Sequence, residues 1–135
     1  MDRPQPRFPE PDTEPFWEAT KEHKLMYQVD RKTGDVVFFP RRFNPKNGSM
    51  DLEWRESKGL GTVYTFSVVR LNRHPSFAAL GAYAVAYVDL DEGFRILTNI
   101  TGVADPTTGI KVGQRVKLKW EDQSTGYAMP LFEPA

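Results

Sequence analysis

The sequence predicts a mostly β protein in three parts: a short N-terminal helix, a hairpin built on two glycine turns, and a small closed barrel of five strands. Three observations carry this expectation. Residues 12–24 hold a capped segment with apolar residues on one side. Two turns, Asp30-x-x-Thr33-Gly34 and Asn44-Pro45-x-Asn47-Gly48, flank a hydrophobic stretch. From residue 61 to the end, runs rich in β-branched and aromatic residues alternate with turn signals, and no helical period appears.

Four prolines in residues 1–11 predict an extended arm. Asp12-Thr13-Glu14-Pro15 then reads as a helix start, since Pro in the first turn loses no hydrogen bond. The helix is expected to run to about Lys24, carrying Phe16 and Trp17, a large apolar load for so short an element. His23 near its end suits the negative pole of the helix dipole.

Residues 25–29 and 36–39 flank Asp30-Arg31-Lys32-Thr33-Gly34-Asp35 and predict a hairpin, stopped by Phe39-Pro40. A polar loop at 40–50 and a short strand at 52–57 follow. With Cys at positions 30, 33, 44 and 47 the two turns would be the paired knuckles of a rubredoxin-like zinc ribbon. The chain has no cysteine, and Asp30, Thr33, Asn44 and Asn47 are poor zinc ligands as a set. No bound metal is expected.

In the second half, 61–71 predicts a long strand, 74–81 a loop, 82–90 and 94–100 a hairpin closed at Asp91-Glu92-Gly93, and 115–120 a fourth strand. The tail at 128–132 predicts a last edge strand, where Pro130 is tolerated. Five strands of this kind suit an OB-fold barrel. Gly59 and Gly61 are expected to permit a bulge or bend where the chain enters the barrel. The division expected is 1–24 for arm and helix, 25–56 for the ribbon-like part and 57–135 for the barrel.

Eighteen basic and eighteen acidic residues cancel, with a pI near 6.7, which is no footprint for nucleic acid. The N-terminus lacks the apolar run of a signal peptide, and no stretch approaches the ~20 apolar residues of a membrane span. A cytoplasmic protein is the expectation. No G-x-S-x-G elbow, dinucleotide fingerprint or phosphate loop occurs, and only His23 and His74 are available as imidazole bases. Asp89, Asp91 and Glu92 read as turn chemistry.

Taken together, the Phe16-Trp17 helix, the turns at 30–48 with Phe39-Pro40-Arg41 between them, Gly59-Leu60-Gly61-Thr62-Val63-Tyr64, Tyr83 to Gly93, Gly113-Gln114-Arg115-Val116 and Pro130-Leu131-Phe132 resemble one family. It is that of the zinc-ribbon OB-fold proteins, formerly domain of unknown function thirty-five, and the resemblance runs over about residues 12–134. The chain departs from the family pattern at the four ligand positions and at Ala82, where a proline is usual. The resemblance implies a non-catalytic accessory subunit that binds or positions acyl-CoA for a thiolase-like enzyme, with an acyl-CoA hydratase as the alternative partner. A coenzyme A thioester is then the implied ligand. Basic residues that could meet its phosphates are Arg41 in the ribbon and Arg70, Arg73 and His74 beyond the long strand, with Phe77 beside them. Phe16, Trp17 and Phe77 are the expected interface residues, in a homodimer or a hetero-oligomer. A single-stranded nucleic-acid module is the competing reading for an OB barrel. It has the aromatics but lacks the positive charge.

Overall fold

The computed structural model describes residues 2–7 and 10–135. Elements follow in the order α1 (Glu14–Thr20), β1 (Met26–Asp30), β2 (Val36–Val37), β3 (Leu52–Glu56), β4 (Leu60–Val69), α2 (Pro75–Ala78), β5 (Tyr83–Leu90), β6 (Arg95–Ile100), β7 (Arg115–Asp122) and β8 (Ala128–Pro134). The first three strands form an antiparallel sheet in the order β2-β1-β3, and the last five close a barrel in the order β4-β5-β6-β8-β7. This is the mostly β, OB-type architecture that the strand count predicts.

Helix α1 is shorter than expected. It stops at Thr20 and the chain unwinds through Lys21 to Lys24, with His23 in the left-handed region at φ 57°. The reason is downstream: Leu25, almost fully buried, must turn into the core. His23 therefore lies beyond the helix. Its ring stacks on Trp120 with centroids 5.4 Å apart, and Nε2 sits 2.6 Å from Asp122. On the helix itself, Phe16 and Thr20 share the buried face, four residues apart. The backbone N–H of Ala128 donates to Thr20 Oγ1 at 3.2 Å, which ties the helix to β8.

β1 is buried on both sides, so its residues do not alternate. Tyr27 stacks on Phe94 of the barrel, and Phe94 on Phe38 at 4.5 Å. On the other face, the Gln28 amide exchanges two 2.8 Å hydrogen bonds with the backbone of Arg41, so a side chain there does the pairing that a further strand would do.

β4 is long enough to pair with β5 throughout and with β7 at its start. A bulge between Val63 and Thr65 leaves Tyr64 as the extra residue. Gly61 has to be glycine, since a Cβ there would lie 2.6 Å from the Asp89 carbonyl oxygen. β5 alternates cleanly: Ala84, Ala86, Val88 and Leu90 point into the barrel, where Val63, Ile96, Ile100, Val116 and Phe132 meet them.

Two expectations change here. β8 is not an edge strand but closes the barrel between β6 and β7. Pro130 is tolerated because β6 and β8 are matched in backbone register only at Ile100 and Phe132. At Pro130 the link is instead a 2.8 Å bond from Thr98 Oγ1 to its carbonyl. The arm, expected to run free, is docked at Arg3, whose N–H donates to Gln123 at 2.8 Å and whose guanidinium pairs with Glu121 at 2.6 Å. Among the described residues no helix is long and apolar enough to cross a membrane.

Candidate functional site

Four chain segments far apart in sequence supply the apolar walls of a groove of about 350 Å³. Helix α1 supplies Phe16 and Trp17, the stretch after β2 supplies Phe38, Phe39 and Pro40, and β6 and β8 supply Ile96, Leu97, Met129 and Leu131. The fold explains why these residues meet. Phe16 sits edge-on to both Trp17 at 5.2 Å and Phe38 at 6.0 Å, so the helix is pinned across the gap between sheet and barrel. Phe16, 7% exposed, forms part of the floor. Phe39 and Leu97, 65% and 55% exposed, stand on the rim.

The polar residues lining the groove are all engaged within the chain. Arg3 Nη1 donates to Asn99 Oδ1 at 2.8 Å, and the Asn99 amide donates to the Ala84 carbonyl at 2.8 Å. Thr98 is bonded to Pro130 as described, and Thr13 Oγ1 donates to Glu10 at 3.1 Å. Among the described lining residues the one charged side chain, Arg3, is compensated by Glu121 and is 10% exposed. Such a lining offers a ligand apolar contact area and little hydrogen bonding.

From this groove the apolar surface continues over the outer face of the barrel. Leu97 lies opposite Tyr87 across the β5–β6 ladder, and Tyr87 lies opposite Thr65, next to the bulged Tyr64. Tyr64 and Tyr87 are both exposed, and the Arg95 guanidinium lies 3.5 Å above the Tyr64 ring while bonding Asp89.

The four turn positions Asp30, Thr33, Asn44 and Asn47 meet in one polar cluster. Asp30, fully buried, accepts hydrogen bonds from the Asn44 amide at 2.9 Å, the Asn47 amide at 3.2 Å and the backbone N–H groups of Lys32 at 2.8 Å and Thr33 at 3.4 Å. The same Asn44 nitrogen donates to Asp35 at 2.9 Å. Chiefly through Asn44, and against the opposing effect of burial, these donors hold the Asp30 carboxyl down to about 2. The donor set does not fit a zinc ion. N–H hydrogens occupy the carboxylate lone pairs that a cation would need, and no thiolate or imidazole is present in the set.

The predicted coenzyme A residues fall in two places. Arg70, Arg73, His74 and Phe77 lie between β4 and β5. There His74 Nδ1 caps the short α2 by accepting from the Ser76 N–H at 3.1 Å. Phe77 packs on Tyr83 at 5.7 Å with the Arg3 guanidinium 5.6 Å from its ring. Arg70 and Arg73 are exposed. Arg41 is in the loop between β2 and β3, lining a hollow with Arg42, Met50 and Trp54. Of the predicted interface residues, Phe16 is taken up by the core and Trp17 lines the groove, half-buried. Sequence reasoning missed Leu97, Met129 and Arg3. Leu97 had a legible signal, an apolar residue on the outward phase of an alternating strand. Arg3, inside a proline-rich arm, had none.

Known proteins resemble the chain along most of its length. The family model for the C-terminal OB-fold domain of ChsH2 matches residues 54–121. A probable enoyl-CoA hydratase alpha subunit of Thermomonospora curvata is 35% identical over 121 residues, 89% of this chain and 37% of that protein, so the chain spans about a third of its length. A DUF35 domain-containing scaffold protein of Pyrococcus furiosus is 30% identical over 103 residues, 76% of this chain and 74% of the other. A solved structure described as an Ltp2-ChsH2(DUF35) aldolase superposes with a TM-score of 0.85 at 32% identity, over 96% of this chain and 98% of that one. With most of its length matched to a scaffold protein of that family and its barrel to the ChsH2 domain, the chain belongs to the DUF35 family of OB-fold proteins.

Proposed function

We propose that the chain is a non-catalytic accessory subunit that binds or positions acyl-CoA for a partner enzyme, a thiolase-like one first and an acyl-CoA hydratase second. The observation that supports the accessory reading is the match along nearly the whole length of both chains to a structure described as an Ltp2-ChsH2(DUF35) aldolase. The likeness to an enoyl-CoA hydratase alpha subunit points to the same substrate chemistry. The site agrees in kind. It is an apolar groove with its polar groups internally satisfied, continuous with an exposed Leu97–Tyr87–Tyr64 stripe of the sort that a protein partner covers. In this reading Arg70, Arg73 and His74 meet the phosphates of coenzyme A, with Arg41 a separate contact, and Trp17 and Phe77 stand at or near the subunit contact. The Asp30 cluster takes the place of a structural metal, so no metal takes part.

The chain, isolated from its native cells, should be accompanied by an enzyme that acts on acyl-CoA thioesters. In that complex Arg70→Ala with Arg73→Ala should raise KM for the thioester severalfold and leave the assembly intact, since charge-assisted phosphate contacts bind ground and transition states alike. An unchanged KM removes these arginines from the site, and a chain that emerges alone removes the accessory reading.

A further inference from the structure

We propose that the groove between α1, the stretch after β2, and β6 and β8 is a hydrocarbon-binding site that takes the acyl part of a thioester and rejects its nucleotide part. This rests on the accessory-subunit reading for the thioester, and on the groove alone for the hydrocarbon. Complementarity favours a hydrocarbon. A polar or anionic ligand needs free donors, and the polar side chains of the lining are already engaged: Arg3, Thr13, Thr98 and Asn99 each bond partners within the chain. Placing a phosphate or ribose there would strip water from it without replacing the lost hydrogen bonds. A hydrocarbon loses nothing of that kind and gains contact with Phe38, Met129 and the other apolar walls. Size sets the class. An apolar cavity of about 150 Å³ takes benzene, so about 350 Å³ suits a chain of roughly ten carbons or a small fused-ring system. The groove is open along the Phe39–Leu97 rim, which leaves a way out for a polar head group.

The test uses the full chain and three probes, 1-decanol, decanoyl-CoA and coenzyme A alone, followed by titration calorimetry at two temperatures. Decanol and decanoyl-CoA should each saturate near one per chain with a negative heat-capacity change, and coenzyme A alone should bind at least tenfold more weakly. Leu97→Glu and Phe39→Glu alter exposed side chains, so the fold should persist, with an unchanged melting temperature as the control. Each should weaken decanol at least tenfold. Decanol that does not saturate, or that binds both variants as it binds the wild type, overturns the proposal. Coenzyme A binding as tightly as decanoyl-CoA also overturns it, while leaving the accessory-subunit reading standing. If sedimentation shows a dimer that both variants dissociate and decanol leaves unchanged, a second copy fills the groove and the proposal fails. A chain that binds decanol as expected yet never accompanies an acyl-CoA enzyme would instead defeat the accessory reading alone.

Discussion

Asn44→Ala should destabilise the protein strongly at neutral pH and much less in acid. Asn44 is fully buried, and its amide nitrogen bridges two carboxylates, Asp30 and Asp35, at 2.9 Å each. Its Oδ1 also accepts from the Lys46 N–H at 3.0 Å. A hydrogen bond to a charged group contributes ~1.5–3 kcal/mol. Losing two of them, with some water entering the gap, should cost about 3 kcal/mol, a large share of the ~5–15 kcal/mol that holds a domain together. For a chain of 135 residues that corresponds to a fall in Tm of roughly 10 °C. The sign of the pH effect follows from the same bonds. Asp30 is held at about 2 and Asp35 is also lowered from the ordinary 3.8, with Asn44 the largest cause for both. Groups depressed in the folded state contribute stability above their unfolded value and lose it as pH falls through the folded one. The variant lacks most of that contribution already. Its deficit against wild type should therefore be full above about pH 5 and shrink as pH drops from about 4 toward 2. Thermal melts followed by circular dichroism across that range are the assay. A Tm loss under about 3 °C at neutral pH, or a loss of the same size at every pH, would refute the reasoning.

Three further outcomes are expected. Elemental analysis after dialysis should find well under one zinc per chain, because the Asp30 oxygens are filled by N–H donors, and a stoichiometric metal would contradict this. The purified chain alone should show no thiolase, hydratase or hydrolase turnover above an inactive preparation, since the groove presents no nucleophile paired with a base. Trp17→Ala should cost about 2 kcal/mol of stability, as a half-buried ring packed on Phe16 and Tyr127 is lost. If it also lowers partner affinity in sedimentation runs, Trp17 serves the interface as well. Unchanged stability would contradict its packing role.

The barrel was readable because its strands carry their own punctuation: the 91–93 turn, the alternation of β5 and the β-branched run of β4 are local signals. The aromatic load of Phe16 and Trp17 was readable too, but its destination was not, because which surface a ring covers depends on tertiary packing. The same holds for β8. A strand with prolines looks like an edge from sequence, and only closure by a single register match to β6, with Thr98 bonding Pro130, makes it internal. The helix end was misplaced because its residues allow another turn, while Leu25 needs burial, and burial wins. At the ribbon, spacing alone brought Asp30, Thr33, Asn44 and Asn47 under suspicion as a set. What the spacing could not show is that amides and a carboxylate can close the cluster by hydrogen bonds. The groove was the least legible part, since four segments supply its apolar walls and only Phe16, Trp17 and Phe39-Pro40 stood out beforehand.

The accessory-subunit account is tested most directly by add-back. A complex containing the chain is purified from native cells and assayed for turnover of acyl-CoA thioesters, by carbon–carbon bond cleavage and by hydration. The chain is then stripped under mild denaturant, and the purified chain is returned. The account predicts that turnover falls by at least tenfold on stripping and recovers in proportion to the chain restored, saturating at a fixed stoichiometry. Turnover that persists undiminished without the chain, or that travels with the chain when every other protein is gone, would contradict it.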